Sequence, residues 1–351
     1  MTDELFAAVV AHTAVREQTD DAAIVAAVLR VEAALATAQE RVGDLDAAAT
    51  AAVREACASA ADVDLAELAR GTALGGNPVI PLVAELKRLA GPHEDAVHRG
   101  ATSQDVLDTA LMLMSRDSIG TITADLDRAV SSLGDLAVGD QLVMGRTLMQ
   151  SAIRLPLSDK VGGWRRGLAD AAHRLRAVAA GLPVQLGGPV GDGSTLGEHY
   201  EDVRAGLADE LGLADAPSWH TIRLPIADLA SALATASGVV GKVALDVVLM
   251  AQTEVAEVSE VAEGRGGSSS MPHKSNPIAA ISARASARRA PHLAAHLFAQ
   301  MEQEHERAAG AWHAEWSVLV DLLRATGSAS WWIAESLGSL EIDSAAVERH
   351  R

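Results

Sequence analysis

No proline follows Pro225 until after Glu263, and the residues between carry a nearly continuous apolar periodicity of the helical kind. At 1.5 Å per residue such a helix would be roughly 55 Å long. Helices of that length belong to bundles, often bundles completed by other subunits. The rest of the chain agrees. It is 49% hydrophobic but only 3% aromatic, so its core must be aliphatic. Alanine, leucine, glutamate and arginine dominate and alternating β-branched runs are scarce, which favours helix throughout. The expected fold class is all-α, with a long central helical bundle.

Shorter helices are expected around it. Asp20-Asp21 opens a run to Arg41 with Ile24, Val28, Val31, Leu35 and Ala38 at three-to-four spacing. Further helices are read over residues 50–60, 79–89, 106–138, 157–180, 277–299 (kinked at Pro291) and 314–337. Gly91-Pro92 breaks the chain, so residues 1–92 are read as an N-terminal helical domain and 93–351 as the long-helix body.

The 351 residues hold 47 acidic and 29 basic side chains, a formal net charge of −18. No lysine/arginine block stands out, which argues against nucleic acid as a partner. An anionic substrate would need local arginine, lysine or helix N-termini to capture it. The single cysteine, Cys57, lies in a helical stretch and reads as a buried inert thiol. The acidic start Met1-Thr2-Asp3-Glu4 has no basic n-region, and the weakly charged stretch 229–241 is too short to span a bilayer. These features lead us to expect a cytoplasmic protein with no membrane partner.

One loop carries most of the chemistry: Gly267-Ser268-Ser269-Ser270-Met271-Pro272-His273-Lys274-Ser275-Asn276-Pro277. Asn276 sits where a helix cap belongs and Pro277 fits the first helical position. N–H groups at such a helix start suit a carboxylate, Lys274 adds a full charge, and the serines supply hydroxyls able to move a proton. An ordinary serine-rich linker with a helix cap is the other reading of these residues. A second polar cluster, His98-Arg99-Gly100-Ala101-Thr102-Ser103-Gln104-Asp105, gathers donors at another helix start, as a capping cluster also would.

The loop closely resembles the signature of the fumarase/aspartase superfamily, G-S-S-x-M-P-x-K-x-N, and matches it at every fixed position. The second cluster resembles the family's H-x-G-x-T-S-x-D region. The resemblance implies a cofactor-free enzyme acting on a small polycarboxylate. Ser268 would be the base that moves a proton α to a carboxylate. Lys274 and Asn276 would hold that carboxylate as its charge grows, with Lys274 or His273 tuning the serine. Thr102, Ser103 and Gln104 would bind a carboxylate, and His98 is either a substrate contact or a structural histidine. It further implies a homotetramer with active sites shared between subunits.

A third segment, Gly145-Arg146-Thr147-Leu148, departs from the fumarases and adenylosuccinate lyases, which carry a catalytic histidine where Leu148 stands. Leucine cannot transfer a proton. Together with G-A-T-S-Q-D-V-x-D-T and Trp219-His220-Thr221-Ile222-Arg223, this points to the branch of carboxymuconate cycloisomerases, which add a carboxylate across a conjugated double bond. Arg146, Arg223 and Arg307 are nominated as substrate-binding residues, because guanidinium pairs bidentately with carboxylate; structural ion pairs are the other role open to Arg223 and Arg307. An adenylosuccinate lyase-like or other carboxylate lyase, and a non-catalytic crystallin-like scaffold, are the rival readings. Asp192 stands where relatives often carry threonine, and the small C-terminal helical domain with which relatives usually continue is expected to be absent, since the sequence stops at Arg351. No metal is expected: His93 and His98 have the wrong spacing for a metalloprotease helix, and no nucleotide-binding glycine fingerprint occurs.

Overall fold

The computed structural model describes residue 9, residues 12–271 and residues 274–350. Its helices are α1 (Thr13–Glu17), α2 (Asp21–Arg41), α3 (Ala47–Ser59), α4 (Leu65–Gly75), α5 (Val79–Ala90), α6 (Ser103–Asp135), α7 (Leu157–Ala180), α8 (Tyr200–Leu211), α9 (Leu224–Met250), α10 (Ile278–Ala287), α11 (Ala290–Ala299), α12 (Ala311–Gly338) and α13 (Ser344–Arg349). The all-α expectation holds. Two small antiparallel pairs complete the described residues, β1 (Leu142–Thr147) with β2 (Gln150–Pro156) and β3 (Val258–Glu260) with β4 (Leu340–Ile342).

Aspartates set several helix starts. The carboxylates of Asp20, Asp46 and Asp343 accept the N–H of Ala23, Ala49 and Ala346 at 2.8, 2.8 and 2.9 Å, and such caps contribute about 1 kcal/mol each. The long helices α6, α7, α9 and α12 pack on one another, with α10 set between α9 and α12. Their inward faces are aliphatic: Leu113, Ile119, Ile122 and Leu126 on α6, Leu168 and Leu175 on α7, Leu229 and Leu233 on α9. Where aromatics are few, small residues let helices approach closely. On α12, Ser328 and Thr326 bond Ser286 and Ser237 on neighbouring helices, and a Cβ on Gly327 would lie 2.6 Å from a Val15 methyl. The N-terminal segment joins this core through α2, which lies against α6 and α8.

Two expectations need correction. The central helix ends at Met250, not near Glu263, so α9 is 27 residues, about 40 Å, long. Residues 251–257 turn the chain, with Ala256 at φ 51°. Beyond it Val258 and Glu260 are buried and Ser259 exposed, a period of two that the apolar spacing had disguised. The kink placed at Pro291 is a full break at Arg288-Arg289, with Pro291 inside the first turn of α11. A proline has no N–H to donate to the carbonyl four residues back, and its ring crowds that carbonyl, so the interruption falls before it. On length and composition alone α9 could cross a bilayer, unlike the 229–241 stretch weighed above; here its inward face packs against α7, α10, α11 and α12.

Candidate functional site

The nominated residues fall into two groups. The first surrounds the N-terminus of α6. Thr102 is its N-cap, in extended conformation, and Ser103 opens the helix; both are partly exposed. Beneath them Asp105 is buried. Its carboxylate accepts the N–H of Thr102 and of Gly188, each at 2.9 Å, and also Gln185 Nε2 and His220 Nε2 at 3.2 and 2.7 Å. One side chain thus fastens the 98–103 segment, the glycine-rich loop 187–193 and the 218–223 segment. Gln104 is buried and donates to Asp108 and to the His220 carbonyl, so it supports the cradle and does not line it.

His98 stands at φ 59° with Nδ1 2.6 Å from the buried Glu32 carboxylate. Burial alone would lower its pKa, but the charge and hydrogen bond of Glu32 outweigh this and raise it, with Asp105 adding. Arg307 donates to the Pro189 carbonyl at 2.8 Å and stays partly exposed at the loop's rim. Asp192 turns outward onto Ser194, whose N–H and hydroxyl hold its pKa below the usual carboxylate range.

The clamp reading of Arg223 is corrected. Its guanidinium is fully buried and bonds Asp108 and Glu315 at 2.5–3.2 Å, with the His220 carbonyl at 3.4 Å. Burial opposes its charge, but the two carboxylates win and raise its pKa. All five of its N–H donors point at protein atoms, which leaves none for a substrate.

The second group lies around the signature loop. Ser268 is partly exposed and its Oγ accepts the Met271 N–H at 3.3 Å. Lys274 is exposed. His273 lies outside the described residues. Asn276 is not the cap expected: Pro277 holds that position, and Asn276 donates through its side chain and its N–H to the Gly266 carbonyl, both at 2.9 Å. The N-terminus of α10 is not open to a ligand either. Glu260 fills it, accepting the N–H of Ala279 and Ala280 at 3.0 and 2.8 Å. Arg146 makes a bidentate pair at 2.9 and 2.7 Å with the buried Glu257. Leu148 and Met149 form the tip of the β1–β2 hairpin, both at positive φ, with Leu148 96% exposed.

One chain does not bring the two groups together. Trp312 and Glu315, at the start of α12, anchor the first through Asp108 and Arg223. Arg265, at the signature loop, bonds Glu335 and Ser339 at the other end of that helix. The 28 residues of α12 span about 40 Å. Sequence reasoning assigned no role to Asp105, Asp108, His220, Glu257, Glu260 or Glu315; Asp105 alone carried a signal, at the third residue of a Thr-initiated helix. Among the described residues no group of three His, Cys, Asp or Glu side chains is placed to hold a metal ion.

Comparison with known proteins gives a consistent picture. Residues 2–291 match the family model described as lyase. The chain is 44% identical to the 3-carboxy-cis,cis-muconate cycloisomerase of Bradyrhizobium diazoefficiens over 98% of its own length and 78% of that protein's. It is 41% identical to the nitrosuccinate lyase of Streptomyces davaonensis, over 97% and 75%. The crystal structure of the 3-carboxy-cis,cis-muconate lactonizing enzyme from Pseudomonas putida superposes with a TM-score of 0.92 at 36% identity, covering 99% of this chain and 79% of that one.

Proposed function

The chain belongs to the lyase family of the fumarase/aspartase superfamily, and from that premise we propose that it is a 3-carboxy-cis,cis-muconate cycloisomerase of aromatic-acid catabolism, cytoplasmic and tetrameric. The observation that carries this reading is Leu148. The residue at the hairpin tip, where fumarases and adenylosuccinate lyases resemble one another in carrying a histidine, has no proton to give. An intramolecular addition fits such a site. One carboxylate oxygen of the substrate bonds to a carbon of the conjugated double bond, whose electron pair moves onto the neighbouring carbon and its own carboxylate. A proton from the Ser268 hydroxyl, replaced from solvent, then closes the valence of that carbon and 4-carboxymuconolactone results. Thr102 and Ser103, at the positive end of α6, hold a spectator carboxylate. Lys274 stabilises the charge that develops, the kind of preorganised interaction on which such sites depend.

The separation of the two groups of residues supports the shared-site tetramer. Each site would take its carboxylate cradle from one subunit and its serine loop from another, so a monomer is inactive on this reading.

The test follows the ultraviolet absorbance of the diene after the purified protein is added, with nitrosuccinate, fumarate and adenylosuccinate run alongside. We expect loss of the diene signal, none with the other three, and a fall of about 10²–10⁴-fold in Ser268→Ala. Turnover of nitrosuccinate without turnover of the muconate would make the chain a β-eliminating lyase instead.

A further inference from the structure

We propose that His220 is a positioning residue of this site, one that fastens the glycine-rich loop over the bound carboxylate through its Nδ1. The Nε2 contact to Asp105, 2.7 Å, makes Nε2 a donor, and in the neutral ring Nδ1 then carries a lone pair. The residue is 4% exposed, and Nδ1 is buried with no hydrogen-bond partner among the described residues. A buried acceptor left without a donor carries an uncompensated desolvation cost. Groups of this kind are expected to be paired in at least one working state of a protein.

The geometry says what that partner is. A Cβ built on Gly191 would lie 3.1 Å from Nδ1 and 3.1 Å from Ser218 Oγ, so the ring nitrogen lies beside the loop backbone at Gly191. Gly191 has φ +82° and no side chain to fend the ring off. The loop is fastened elsewhere: Gly188 to Asp105, Pro189 to Arg307, and Thr195 to the Gly100 carbonyl at 2.6 Å. Gly191 is the part of the loop that Nδ1 addresses. His220 itself cannot drift, since its carbonyl accepts Gln104 Nε2 at 2.8 Å and Arg223 Nη1 at 3.4 Å. When a carboxylate occupies Thr102 and Ser103, the loop tightens and one of its N–H groups donates to Nδ1. Asp105 holds the same ring and the Thr102 N–H, so the cradle and its cover move on one anchor.

This inference rests on the reading of Thr102 and Ser103 as a carboxylate cradle, and two substitutions test it. In His220→Gln the amide nitrogen reaches Asp105 as Nε2 did, but no acceptor faces the loop. In His220→Asn an oxygen stands close to the place of Nδ1, while the Asp105 contact is lost. We expect His220→Gln to keep the wild-type melting temperature and assembly, with KM for the muconate raised about tenfold and kcat within about twofold, the signature of a lost binding contact. His220→Asn should melt lower and yet have a KM closer to wild type. A ring that merely props up the core gives the opposite order, with Asn the worse variant in both stability and KM, and that result overturns the proposal. Should His220→Gln fail to fold, His220→Asn decides: KM within about threefold of wild type supports the role, and a rise of about tenfold overturns it. Wild-type turnover in the same assay separates the two failures. Without it the functional reading falls and this inference with it; with it, an unchanged KM in His220→Gln sinks the positioning role alone.

Discussion

At the scale of single residues, the buried charges decide what is available to a substrate. Arg223 is enclosed by Asp108 and Glu315 with every donor used, so its loss is a folding event before it is a catalytic one. Arg223→Met leaves two carboxylates unpaired in the interior and should cost about 3–5 kcal/mol. Urea unfolding at fixed protein concentration measures this; a midpoint unchanged from wild type would return Arg223 to the list of substrate contacts. His98 carries a pH prediction. Its pKa is raised in the fold because Glu32 outweighs the effect of burial. A raised pKa means that the pair stabilises the fold fully below the ordinary histidine value of about 6.5. That contribution is lost as pH climbs through the higher folded-state value. The melting-temperature gap between wild type and Glu32→Gln should therefore be widest in mild acid and shrink in mild alkali. A gap that stays constant with pH would show that His98 holds no charge. Cys57 needs no such test, since burial and Glu32 push its thiol up to about 12, in keeping with the inert thiol read from the sequence.

At the scale of elements, punctuation made the helices legible and its lack hid the rest. Helix α7 has the bounds expected of it, 157–180, with Pro156 before it and Gly181 after. The end of α9 was overrun because Val255, Val258 and Val261 continue a helical spacing through residues that instead turn and enter β3. The β1–β2 hairpin was invisible for a related reason. Its two-residue tip, Leu148-Met149, lies at φ 50° and 66°, where Asn-Gly is the usual signal. Gly145 is its one clue, since a Cβ there would lie 2.6 Å from the Ile153 carbonyl oxygen. The misreading of the signature loop has the same character. The Asn276-Pro277 pair looks like a helix cap, but the capping carboxylate comes from Glu260, which lies in β3 and not beside the helix in sequence. No local pattern reports a long-range cap. Glu260→Ala should free the first turn of α10 and cost about 1 kcal/mol. Hydrogen exchange at the amides of Ala279 and Ala280 should quicken first, and unchanged protection there would refute the cap.

At the scale of the whole molecule, three features bear on the proposed assembly. The tip of the β1–β2 hairpin and the strand behind it expose apolar side chains, with Leu148 at the tip 96% and Ile153 on β2 79% exposed. The α9 helix is apolar enough for a bilayer yet only partly covered by its own chain. The cradle at Thr102 and the loop at Ser268 sit at opposite ends of bundle helices about 40 Å long. In the proposed tetramer such apolar surface would be buried against another copy, and a symmetric assembly would carry one chain's loop to another chain's cradle. That arrangement has a consequence no monomeric enzyme shares. Take Ser268→Ala, which spoils the loop, and a Thr102→Ala/Ser103→Ala double variant, which spoils the cradle, each inactive alone. Mixed, dissociated together and allowed to reassemble, they should form some sites from an intact cradle and an intact loop. With random assembly from equal amounts, about one quarter of the sites would be whole, and turnover should return to about that fraction of wild type. If each subunit held a complete site, every site in the mixture would carry one lesion or the other and no activity would return.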